Sequence, residues 1–95
     1  MASKEQLYEA SMRKWGIEAQ LKMLAEECCE LSIIALKIGR TVNGSNPDQL
    51  AEEIADVEIM TEQMRHCLAL QNEVDAWKEK KLRRLAYLLE NSGEK

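Results

Sequence analysis

The chain has 95 residues, 45% of them hydrophobic and 32% charged, with four Gly, one Pro, no Phe and a formal net charge of −4. That length allows one domain, residues 1–95, whose core is modest for a monomer, so self-association is expected. Strong helix formers dominate and strand formers are scarce, which favours an all-α fold; the acidic balance argues against a nucleic-acid polymer as partner, because a phosphate backbone calls for a basic face.

In chain order, the pattern predicts four helical segments without repeats. Ser3 caps a short first helix running to about Trp15, and Gly16 punctuates it. A second helix covers about 17–38 and stops at Gly39, a natural left-handed terminator. Residues 40–46 have the only loop-like composition, and Asn46-Pro47 restarts a helix with cap and first-turn proline in the favoured order. That third helix continues to about Leu70. After a weak break near Gln71 and Asn72, a basic helix over about 73–89 precedes a polar tail, residues 90–95. Cys28, Cys29 and Cys67 show no CxxC spacing and read as reduced thiols. The amino terminus lacks the apolar core of a signal peptide, and no apolar run is long enough to cross a bilayer, so a soluble, cytoplasmic protein without a membrane partner is expected.

Helical wheels of the second and third helices are the informative feature. With Glu27 as origin, Leu31, Leu24, Ile38, Ile34 and Met23 all lie within about 60° of it, so this acid sits in the middle of the apolar stripe. Glu30 lies at the stripe's edge, and Glu26 points about 100° away. The third helix repeats the arrangement: Glu53 is flanked by Leu50, Val57, Met60, Met64 and Cys67, Asp56 takes the position of Glu30, and Glu52 that of Glu26. Ionised carboxylates in a packed stripe lose hydration and repel one another, so a cation must compensate. Those faces hold no basic residue except Lys37, near the edge. Hard divalent cations are the simpler solution, because oxygen ligands on two facing helices hold Mg²⁺ while leaving positions for water and phosphate. Zinc would recruit His or Cys, and His66 points away from this face. A solvated polar seam is the plainer alternative.

The segment from Trp15 to Leu31, with Glu26-Glu27-x-x-Glu30, followed by Glu52 to Met60, with Glu53-x-x-Asp56, resembles the MazG-type, all-α nucleoside triphosphate pyrophosphohydrolases, whose signature is EExxE and then ExxD. Lys81-Leu82-Arg83-Arg84-Leu85 resembles the basic segment of short, phage-like members, so the likeness covers nearly the whole chain. It implies a four-helix bundle completed by oligomerisation, a homodimer or homotetramer, and Mg²⁺-dependent (Mn²⁺ as substitute) cleavage of a nucleoside triphosphate to monophosphate and pyrophosphate. By position, Glu27, Glu30, Glu53 and Asp56 correspond to the metal ligands. Glu30, or Glu26 as the alternative, is the candidate proton acceptor for the attacking water. Lys81 and Arg84, with Lys37 and Lys78 as weaker candidates, are expected to meet the phosphates, or else form a solvated face. Gln20 and Trp15 are candidates for base binding; Trp15, like Tyr8, equally suits core or subunit interface. Trp77 suits packing of the last helix or of a partner chain. Phosphoribosyl-ATP pyrophosphohydrolases share both acidic motifs but usually carry Tyr-His where this chain has Val57-Glu58-Ile59-Met60. A non-catalytic helical interaction module is the alternative from another class.

Overall fold

The computed structural model describes residues 1–40 and 47–92, and these form three helices: α1 (Lys4–Arg40), α2 (Pro47–Cys67) and α3 (Gln71–Asn91). Among the described residues there is no strand, and no helix is long and apolar enough to cross a membrane. The expected loop with its Asn46 cap falls at 41–46, and the end of the tail at 93–95; both lie outside the described residues.

α1 opens with a reciprocal cap. The Gln6 N–H donates to Ser3 Oγ at 3.1 Å, and the Ser3 N–H donates to Gln6 Oε1 at 2.9 Å, satisfying two of the donors that a helix start leaves over. The first two expected segments are both present within α1 and meet at a kink at Gly16, whose φ of 88° and ψ of 162° are non-helical and open to glycine almost alone. The helix does not stop at Gly39; it runs through to Arg40.

The bend decides what the amino-terminal arm touches. On a straight helix Tyr8 would lie about 18 Å beyond Gln20. Instead the two meet consecutive residues of α2: Tyr8 Oη donates to Glu62 at 2.8 Å, and Gln63 Nε2 donates to Gln20 Oε1 at 2.6 Å. Lys4 pairs with Glu62 at 3.4 Å, and His66 Nε2 lies 2.6 Å from Glu9 Oε2. The arm therefore crosses the carboxy-terminal half of α2. A Cβ at Gly16 would meet nothing within 4 Å, so Gly16→Ala acts through backbone strain alone. An alanine inside a regular helix would stabilise; here the expected result is a loss of about 1–3 kcal/mol, or roughly 4–8 °C of Tm per kcal/mol at this length. A circular-dichroism melt decides the sign.

α2 ends at Cys67, earlier than the sequence suggests, because Ala69 adopts a left-handed φ of 55°. Its N–H bonds the His66 carbonyl at 3.4 Å and that of Leu70 bonds the Arg65 carbonyl at 2.9 Å, the paired closure usually built on glycine. α3 then starts at Gln71, two residues before the expected start.

The core lies between α1 and α2. Tyr8, Ile34, Met60 and Met64 are buried, and Leu24, Leu31, Ile38, Leu50 and Val57 are half-buried. α3 has no buried residue and touches α2 but not α1. It is tied by Arg65, which donates to Gln71 Oε1 and Asp75 Oδ1, both at 2.6 Å. One chain therefore does not close a four-helix bundle. Its radius of gyration is 17.0 Å, against about 12 Å for a compact chain of this length.

Candidate functional site

Glu27 and Glu30 stand one turn apart on α1, opposite Glu53 and Asp56 on α2. The antiparallel packing joins the two acidic motifs. One carboxylate oxygen each from Glu27, Glu30 and Glu53 lie within 4.8 Å of one another. Glu27 and Glu53 are half-buried, and the Oε1 atom of each is sealed from solvent without a hydrogen-bond partner among the described residues. This follows from their place in the apolar stripes. Each acid shares its helix face with the apolar residues that pack α1 on α2, a face with no donor bonded to either Oε1 atom among the described residues.

The electrostatics are correspondingly unfavourable to charge. Burial, then the charges of Asp56, Glu30 and Glu26, raise the pKa of Glu27 above the usual carboxylate range. Burial, then Glu30, Asp56, Glu27 and Glu52, raise that of Glu53. Asp56 is half-buried and stands outside the group of three, acting on both through its charge. Glu30 is exposed, giving the cluster one member in contact with water. Glu26 and Glu52 are exposed, as their wheel positions imply. The donor set is all carboxylate oxygen, which suits a hard divalent cation. The nitrogen of His66 is engaged by Glu9 about two-thirds of α2 away from Glu53.

The expected phosphate-binding residues are not gathered there. Lys78, Lys81 and Arg84 are exposed on α3, which has no contact with α1. Lys80 and Lys81 lie over the Trp77 ring, at 5.0 and 5.8 Å from its centroid; Trp77 itself is exposed, so within one chain it packs no helix pair. Lys37 is exposed on α1, about 10 Å along the axis from Glu30. Cys28 and Cys29 are exposed free thiols, and Cys67 is a half-buried one whose pKa burial pushes up.

Gln20 is buried and bonded to Gln63, a residue the sequence did not single out, while Trp15 stays exposed with Lys14 over its ring. A signal existed. Gln20 lies about 20° from Glu27 on the wheel, as central to the stripe as the acids that drew attention. Glu62 and Glu9, which anchor the arm, carried no comparable signal, since their partners depend on the bend at Gly16. At that anchor, burial, then the hydrogen bond to Glu62, push the Tyr8 pKa up to about 12. The hydrogen bond from Tyr8, then that from Lys4, pull Glu62 below the usual range. No protein-family model matches the chain, and no curated protein or solved structure matches it.

Proposed function

We propose that the chain is a Mg²⁺-dependent nucleoside triphosphate pyrophosphohydrolase of the MazG-like, all-α kind, converting a (deoxy)nucleoside triphosphate to the monophosphate and pyrophosphate as a homodimer or homotetramer. The observation that carries this is the pair of sealed, partnerless oxygens on Glu27 and Glu53 beside Glu30. A buried acceptor without a donor is costly to keep, and a cation is the partner that such a cluster fits.

Glu27, Glu30, Glu53 and Asp56 would hold Mg²⁺, or Mn²⁺ in its place. When bound, the metal supplies charge neutralisation for the polyphosphate and acidifies water near it. The chain's own groups do the rest. Glu30, the solvent-facing member, accepts a proton from the water that attacks phosphorus as the bond to the departing pyrophosphate breaks; Glu26 is the second candidate. Glu27 and Glu53, half-buried and each with one oxygen sealed from solvent, fix the acidic geometry.

Cations for the leaving phosphates come, in this proposal, from Lys81 and Arg84, aided by Lys78, on the α3 of another copy. Two observations support assembly. The exposed area of 7528 Å² exceeds by about a third the ~5,600 Å² expected of a compact monomer of this mass. Leu82, Leu85, Leu88 and Leu89 are all exposed on α3, the helix with no buried residue.

The departure at Val57-Glu58-Ile59-Met60 disfavours the phosphoribosyl-ATP reaction, and an interaction module whose acids line a solvated polar seam gives no reason for the sealed, unpartnered oxygens of Glu27 and Glu53. Pyrophosphate release from a panel of canonical nucleotides, with Mg²⁺ and with chelator, tests the proposal. Metal-dependent release with at least one nucleotide is expected; an inert protein across the whole panel overturns it.

A further inference from the structure

We propose that the buried hydrogen bond between Gln20 and Gln63 is the register clamp of the α1–α2 pair, positioning Glu27 and Glu30 level with Asp56 and Glu53. Its consequence for metal rests on the pyrophosphohydrolase proposal; the clamp itself does not.

Two antiparallel helices rise equally per residue, so residues at one level are reached by equal steps from any pair known to face. Gln63 Nε2 donates to Gln20 Oε1 at 2.6 Å, which makes these two such a pair. Seven residues on from Gln20 along α1 stands Glu27, and seven back from Gln63 along α2 stands Asp56; ten residues lead to Glu30 and Glu53. The amide bond and both acidic pairs therefore belong to one register, with the amides about 10 Å along the bundle from the nearer acids. The electrostatics carry the same pairing: after burial, Asp56 is the largest influence on the pKa of Glu27, and Glu30 on that of Glu53.

Apolar packing does not choose this register. Leu24, Leu31, Ile34 and Ile38 recur along α1 at the same spacing as Leu50, Val57, Met60 and Met64 along α2. A slip of one helical turn, about 5.4 Å, sets apolar groups against apolar groups again, and their burial has no directional preference. The acids oppose the register, since like charges brought level repel. A slip by one turn would leave a single facing acidic pair, Glu30 with Asp56 or Glu27 with Glu53 according to its direction, in place of two. A hydrogen bond, by contrast, is directional. Gln20 and Gln63 are 6% and 3% exposed, where glutamine is seldom found. In a slipped register each loses its partner away from water, and one such orphaned amide disfavours the slip by about tenfold. Fixing register is the best-attested use of a buried polar group between helices. Lys4, Tyr8 and Glu9 also meet α2, but they precede the kink at Gly16 and hold the arm, not the stretch that carries the acids.

The test starts on metal-free protein. Methyl NOE spectra of the wild type are expected to show one set of cross-peaks between α1 and α2, among them Met23 with Met60, which line the same cleft. In the double variant Gln20→Leu, Gln63→Leu no amide is orphaned, so the melting temperature should not fall, yet a second set of cross-peaks displaced by one turn should appear. Mn²⁺ affinity, read from the loss of the free-ion EPR signal, should fall in that variant by about tenfold or more, as when groups that orient metal ligands are removed. Gln20→Glu keeps the oxygen that Gln63 meets, and should keep the wild-type cross-peaks and affinity. Gln20→Asn, one methylene too short for the bond, should behave as the double variant does and carries the test should that variant unfold. Wild-type cross-peaks alone in the double variant, or in Gln20→Asn where the double variant unfolds, overturn the clamp. Displaced cross-peaks with Mn²⁺ affinity unchanged overturn its positioning role. Displaced cross-peaks in the variant, with no Mn²⁺ bound even by wild type, leave the clamp standing and remove the metal reading.

Discussion

Glu53→Gln is expected to abolish Mg²⁺-dependent pyrophosphate release while raising the melting temperature of the metal-free protein. The loss should be at least ~100-fold, beyond the ~10–100-fold typical of residues that merely support a metal ligand. Opposite signs for activity and stability are the diagnostic. A carboxylate whose oxygen is sealed without a donor is a liability to the fold unless a cation compensates, and glutamine keeps the shape while removing the charge. Glu27→Gln should behave alike, since its pKa is raised by the same causes, burial first and neighbouring acids after it. The pH dependence follows in sign. Raised pKa values mean that the folded chain binds protons which the unfolded chain has already released, so stability falls as pH rises from the ordinary carboxylate range through the raised values. Glu62 works in the other direction. Its pKa is lowered by Tyr8 and Lys4, so its contribution is present above the ordinary carboxylate value and is lost as pH falls through the lowered one. Melts of wild type and Glu53→Gln across pH 4 to 8, with and without Mg²⁺, separate these contributions. The descent with rising pH should be shallower in the variant, and Mg²⁺ should raise the wild-type curve most where both glutamates are ionised. Unchanged activity in Glu53→Gln would remove that residue from the site.

The acids at the centre of the proposal were legible because a charged residue in an apolar stripe contradicts its surroundings, and the helical period alone exposes the contradiction. Ile34, Met60 and Met64, buried in the structure, are the stripe residues that the same wheel selects. Met23 is 41% exposed, because it lines the open cleft with Trp15 and Gln20. Gly16 announced a break but not its direction; the φ of 88° that turns the arm back across α2 depends on what the arm then reaches, and Glu62 and His66 are far away in sequence. The end of α2 was misplaced for a local reason. A left-handed closure on Ala69 lacks the glycine by which such closures are read, so the sequence looks helical through Leu70. The path of α3 was illegible for a different cause: its apolar residues predict a packed helix, and one chain contains nothing for them to pack on.

That last feature gives the second large effect. If Lys81 and Arg84 serve the acids of another copy, two inactive variants should restore each other when mixed. Glu53→Gln lacks a competent acidic cluster but keeps its cations; a Lys81→Ala, Arg84→Ala double variant keeps its cluster but lacks the cations. Each alone should release pyrophosphate at a few per cent of the wild-type rate or less, since charged donors on a transferring phosphoryl group contribute about 10²–10³-fold. After co-refolding at equal amounts, half of the dimers are mixed, and each mixed dimer contains one site with intact acids from one chain and intact cations from the other. About a quarter of the wild-type activity should return. Cations acting within their own chain would give no recovery, because no site would then hold both intact halves. The separation of α3 from α1 favours the first outcome, and so does the exposed leucine row that α3 carries beside Lys81 and Arg84. Leu85→Asp, placed in that row, should lower both the mass in solution and the recovered activity together. A variant that becomes monomeric yet retains full release would show that the leucine row holds copies together without completing the site.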